Sequence, residues 1–175
     1  MKRLLPLLVI AALVLSACAK KENTTAPVDT GDNTSSKNSF VVNGNGYSNT
    51  SFRAFNDESN ASAYTDDEVG SGVVTFSGTI GNNSTHVFSI TIVTSSARTG
   101  TFTLDEAGVG FTTTDGTLQT KNYGLISGSI TITQWDGIGG RCKGTFSGVA
   151  NEVISQEFVT ITNGKFDCRI IEDAD

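Results

Sequence analysis

His86-Val87-Phe88-Ser89-Ile90-Thr91-Ile92 is the stretch that decides the fold. Phe88, Ile90 and Ile92 fall at every second position with Ser and Thr between them, which is the period of a strand with one buried face. The same alternation returns in Thr101-Phe102-Thr103-Leu104, Ile130-Thr131-Ile132-Thr133 and Val159-Thr160-Ile161-Thr162. Between such runs stand Asn43-Gly44-Asn45-Gly46, Gly81-Asn82-Asn83, Asp115-Gly116, Asp136-Gly137 and Asn163-Gly164. Asn-Gly and Asp-Gly supply the positive φ angles that two-residue hairpins demand. Nine or ten strands are expected, near 40–43, 51–56, 73–79, 86–94, 99–104, 110–114, 124–134, 141–149, 157–162 and 165–171. The clearest hairpin is 159–162 returning through Asn163-Gly164 into 165–170. The stretch 57–72 reads as a loop with room for a short helical turn. The expected class is all-β: a single antiparallel β-sandwich or flattened barrel, with the sandwich preferred.

Composition agrees with that class. Ser and Thr number 18 and 24 of 175 residues, with 19 Gly and 13 Asn against 2 Pro, 1 Met, 1 Trp and 1 His. Such a chain suits short strands and tight turns and is poor material for long helices. A net charge of −6 without clustered Lys or Arg argues against a nucleic-acid partner. Short Ser-Gly echoes at 77–78, 127–128 and 147–148 are better explained by strand and bulge geometry than by a repeated unit.

The N-terminus reads as an export signal. Met1-Lys2-Arg3 is a basic head, Leu4 to Leu15 an apolar run too short for a spanning helix, and Ser16-Ala17-Cys18 a small-residue cleavage region. Leu15-Ser16-Ala17-Cys18 resembles the lipobox of bacterial lipoproteins, which implies lipid on the Cys18 thiol and removal of residues 1–17 as signal peptide. Removal takes Lys2 and Arg3 and no acid, so 10 basic residues face 18 acidic ones and the charge becomes −8. The acyl chains, at about 0.8 kcal/mol per buried methylene, would then be what holds the chain to a membrane. Ala19 follows the cysteine, where the enterobacterial sorting rule places Asp for inner-membrane retention; resemblance to that rule implies the outer membrane, on either its periplasmic or its surface face. Residues 18–38 comprise the lipidated Cys18 and a polar tether, 19–38, with only Val28 as a β-branched aliphatic. Such a segment buries too little to offset its ordering entropy and is expected to be a disordered linker with a reach of roughly 25 Å. Residues 39–175 form one all-β domain.

Few side chains invite chemistry. Cys142 is in phase with Phe146, and Cys168 with Phe166 and Ile170, so both are expected to face the core from neighbouring strands, and an oxidising compartment would join them as a disulfide. No third Cys or His accompanies them, so no metal site is expected. His86 lies in phase with Phe88 and Ile90, lacks a local nucleophile motif, and reads as a strand-end histidine bonded to a loop. The acids gather as Asp57-Glu58, Asp66-Asp67-Glu68 and Asp105-Glu106 without calcium-loop order, and read as solvated faces. Trp135, counted from Ile130, falls in the outward Thr131/Thr133 phase, unless a bulge near Gln134 turns it into the core. Exposed, it would offer, with Tyr123, a platform for stacking on a sugar ring or for contacting a partner.

The lipobox, the tether, Phe40-Val41-Val42-Asn43-Gly44, Gly100-Thr101-Phe102-Thr103-Leu104, Gly128-Ser129-Ile130-Thr131-Ile132-Thr133, Gly144-Thr145-Phe146-Ser147-Gly148 and Val159 to Phe166 together resemble β-rich lipoprotein domains of Bacteroidota. The resemblance implies fold and address and carries over no catalytic residue. The expected function is a non-catalytic binding or interaction module, not an enzyme and without a cofactor. Its partners would be a membrane, through the N-terminal lipid, and a glycan, a small apolar ligand or a protein. The alternatives are a structural envelope lipoprotein and a hydrolase working through loop carboxylates.

Overall fold

The computed structural model describes residues 36–55 and 60–172. It contains β1 (Ser39–Gly44), β2 (Tyr47–Ala54), β3 (Ala61–Asp66), β4 (Ser71–Ile80), β5 (Asn83–Thr94), β6 (Gly100–Thr103), β7 (Ala107–Thr114), β8 (Thr120–Trp135), β9 (Arg141–Glu152) and β10 (Phe158–Ile170). All-β architecture is as the alternation predicts. The sheet, however, closes on itself as β1-β2-β4-β5-β7-β8-β9-β10 and back to β1, an eight-stranded antiparallel barrel, so the preferred sandwich is corrected to a barrel. Two contacts do this: β10 pairs with β1 as well as β9, and β4 pairs with both β2 and β5. Each of the eight strands of the ring thus has a partner on both sides.

β3 and β6 lie outside that ring and cover strand edges at one end. β3 runs antiparallel to β4 through Ala61↔Phe76 and Ala63↔Val74 and parallel to the end of β10 through Arg169↔Ser62. It occupies the stretch expected to be a loop. β6 pairs with residues 129–132 of β8, beyond the reach of β7, which pairs with 120–124.

The count of ten strands conceals a second correction. β10 is one strand, not a hairpin: pairing with β9 continues on both sides of Asn163, from Ile161↔Gly148 to Gly164↔Phe146, so Thr162 and Asn163 together oppose Ser147. Only Asn163 takes a positive φ, 53°, where a type I′ turn needs two such residues. The feature is a β-bulge, and the register with β1 shifts by the same residue. Gly164 is required beside it, because a Cβ there would stand 2.3 Å from the Phe146 carbonyl oxygen.

Inward alternation fills the barrel with rings. Eight of the ten phenylalanines are buried. Phe40 is central: its ring centroid lies 4.7 Å from that of Phe52, 5.3 Å from Phe88, 5.5 Å from Phe111 and 5.6 Å from Phe146. Each such ring contributes about 1.5–3 kcal/mol by burial, with edge-to-face contacts adding to it. Threonines pair across the outside, as in Thr101 Oγ1 to Thr131 Oγ1 at 3.0 Å. The Ser-Gly echoes are places where strands press together: Gly128 is the register partner of Gly148, and a Cβ on either would strike the backbone of Ser147 or Ser127.

Candidate functional site

The aromatic core fills the barrel's middle, so an accessible site has to sit at an end. The turns β1–β2, β4–β5, β7–β8 and β9–β10 share one end, because the strands of the ring alternate in direction. At this mouth a cavity of about 180 Å³ is lined by Tyr47, Ile80, His86, Thr113, Asp115 and Lys121 among others. Barrel mouths with an apolar floor and a few converging polar groups are common ligand sites.

Local sequence places each group. Thr113 follows Val109 and Phe111 on the inner face of β7 and is buried, and its Oγ1 lies 3.4 Å from the Tyr47 hydroxyl. Ile80 ends the inner face of β4. His86 rides on an excursion of β5: Thr79 pairs with Val87 while Ile80 pairs with Asn83, leaving Ser84, Thr85 and His86 unopposed. Its Nδ1 lies 3.3 Å from the Thr85 hydroxyl. The expected loop contact is therefore made with a neighbour, and the ring lines the mouth as well. Lys121 stands two residues from Tyr123 on β8, in its phase. Asp115 caps the β7–β8 turn: its Oδ1 accepts from Thr117 Oγ1 at 2.7 Å, Thr117 N at 2.8 Å and Gln119 N at 3.1 Å. The Thr117 hydroxyl and then these amides hold its carboxyl below the usual range, with His86 adding a smaller push the same way.

The residues singled out in the sequence are not brought together. Tyr123 is 3% exposed, which corrects its expected role as an exposed ligand contact. Its ring stacks on Phe111 and its hydroxyl accepts from Asn45 Nδ2 at 3.1 Å, below the mouth. Burial raises its pKa, and the Tyr47 hydroxyl beside it adds to the rise. Trp135 is at the other end of β8, half-buried against the core. A bulge between Ile132 and Gln134 turns it out of the Thr131/Thr133 phase, and its ring lies over Gly72. It plugs the far end, and the open platform is not formed.

Cys142 and Cys168 are register partners on β9 and β10, both buried as expected, but they are free thiols and the expected disulfide is not formed. Cys168 Sγ instead donates to Asn38 Oδ1 at 3.3 Å. Burial drives both thiol pKa values up, that of Cys168 to about 12, so neither is a reactive thiolate. Of the acidic clusters, Asp57-Glu58 lies outside the described residues. Asp66 caps its own turn by accepting from Glu68 N, and no group of three or more acids, Cys and His suited to a metal occurs among the described residues. Cys18, the signal peptide and the linker to residue 35 also lie outside the described residues.

Tyr47, Thr113 and Lys121 carried no signal as a site, since each reads singly as a strand-end polar residue. Thr113 shares the inward phase of Phe111 and Lys121 that of Tyr123, whereas Tyr47 is out of phase with Phe52 and Ala54 and reaches the mouth through a register shift in the β1–β2 pairing. Compared with known proteins, the chain matches no family model, and neither a curated protein nor a solved structure matches it.

Proposed function

We propose that this chain is an exported lipoprotein, anchored at the outer membrane through Cys18, whose barrel is a non-catalytic binding module that takes a small ligand at its mouth. One observation carries the reading: over a core packed solid with rings, polar groups from four strands converge on a cavity with an apolar wall. Among the described residues, His86 has only Thr85 as a hydrogen-bonding neighbour, the Thr85 hydroxyl donates to Asn83 Oδ1 and not to the ring, and Asp115 is engaged by its own turn. The lipobox supports the address. In an oxidising envelope, Cys142 and Cys168 would pass two electrons and two protons to the disulfide of an oxidoreductase and become a cross-strand disulfide. Their direct register supports this.

Two measurements test the proposal. Metabolic labelling with a palmitate analogue should mark the chain and leave Cys18→Ser unlabelled; equal labelling of both removes the anchor. Thermal-shift screening of the full-length chain with single-ring acids, sugars and short peptides should find a stabilising ligand. His86→Trp, which fills the mouth, should abolish its effect. A shift that survives this substitution, or no shift from any class, overturns the mouth as a binding site.

A further inference from the structure

The polar groups at the mouth are unequally engaged. Asp115, the carboxylate that lines it, accepts three hydrogen bonds from Thr117 and Gln119. All three fall on Oδ1 and hold the carboxylate within its own turn. Tyr47 and Thr113 face each other at a long 3.4 Å, a contact readily exchanged for a stronger acceptor. The two nitrogen bases are less engaged. The Lys121 side chain has no hydrogen-bond or ion-pair partner among the described residues, and the His86 ring makes one contact, through Nδ1, to Thr85. Within an overall acidic chain, the mouth thus offers a lysine side chain without a partner among the described residues, beside the Tyr47 hydroxyl.

Size sets a second limit. A dry cavity of about 150 Å³ suffices for benzene, so about 180 Å³ seats one ring or a short branched chain. Ile80 and the Tyr47 ring provide an apolar wall for that body. Charge-assisted hydrogen bonds to a carboxylate are roughly twice as strong as neutral ones.

We infer that the mouth selects a small organic monocarboxylate, its apolar body against Ile80 and Tyr47 and its carboxylate held by Lys121, with the Tyr47 hydroxyl as a further donor. This rests on the reading of the mouth as a binding site and narrows its ligand to one charge class. The probes are benzoate, benzamide and benzylamine, alike in ring and different in charge, titrated into the full-length chain while the amide resonances of Thr113 and Lys121 and the Trp135 indole are followed. Benzoate should saturate with shifts at Thr113 and Lys121 and none at Trp135, and should bind at least about tenfold more tightly than either analogue. Lys121→Met should bring benzoate and benzamide to nearly equal affinity. If benzamide or benzylamine binds the mouth as well as benzoate does, the charge assignment falls while the binding site stands. If none of the three moves Thr113 or Lys121, the carboxylate assignment falls, and the wider ligand screen then decides whether the mouth binds anything.

Discussion

Phe111 and Tyr123 are register partners on β7 and β8, and their rings stack with centroids 4.5 Å apart and planes 5° from parallel. The pair forms a layer under the mouth, and the Asn45 amide ties its phenol to the β1–β2 turn. The two components are separable by mutation. Tyr123→Phe keeps the stack and loses the hydrogen bond, at about 1 kcal/mol; Tyr123→Ala removes the ring and opens a cavity, at about 3–5 kcal/mol. Urea unfolding of both variants checks the ratio, and equal losses would show that the phenol, not the ring, holds this layer.

The bulge in β10 makes a sharper test because two folds share one apolar pattern. In a two-residue hairpin, Ile161 and Phe166 are cross-strand neighbours on one face; in a strand with one extra residue, the inward phase passes from Val159 and Ile161 to Phe166 and Cys168. Alternation cannot separate them. What decides is pairing with β9 on both sides of Asn163, a contact between segments whose partners no local signal names. Deleting Asn163 would destroy a hairpin, but here it leaves Thr162 opposite Ser147 and every later face unchanged. The deleted chain should fold with the parent's circular dichroism spectrum. Gly164→Ala, whose methyl meets the Phe146 carbonyl, should cost about 1–3 kcal/mol.

Other features show the same limit from different causes. β3 presents Ala61 and Ala63 to the core opposite Phe76 and Val74, and alanines on an inner face give no hydrophobic alternation to read. Barrel closure depends on β1 meeting β10 across almost the whole domain, a pairing invisible in either strand alone. By contrast Phe88, Ile90, Ile92, Ile130 and Ile132 are buried as their period requires. The site was legible only in pieces: His86 was visible as a strand-end histidine, while Thr113 gained meaning from Tyr47, 66 residues away in the chain.

The cysteine pair should show two states that differ by one reaction. As free thiols, Cys142 and Cys168 are almost wholly shielded and protonated, so maleimide should label them only as fast as the barrel opens, and labelling should be complete in denaturant. After passage through an oxidising envelope, the intact chain should be two hydrogens lighter and gain no label without reductant. A loop spanning 26 positions corresponds to about 3.5 kcal/mol of chain-entropy stabilisation. Two alkylated thiols in unreduced protein taken from such an envelope would show that no bridge forms.

Glu152 connects the β9–β10 turn to acid stability. Its Oε2 accepts from the amides of Ser155 and Ile154, and its backbone nitrogen donates to the Glu157 carbonyl at 2.8 Å. The Ser155 amide does most to hold its pKa below the ordinary glutamate value of 4.5. The folded chain therefore releases this proton at a lower pH than the unfolded chain does, and through that interval the unfolded state binds more protons. Stability from this group is then complete above the unfolded pKa and is lost as pH falls through the folded one. Glu152→Gln should remove that part of the acid limb while keeping an oxygen acceptor for the turn. Thermal unfolding followed from pH 6 downward should show wild type and variant converging as pH falls, whereas a constant offset at every pH would mean that Glu152 stabilises the turn without its charge.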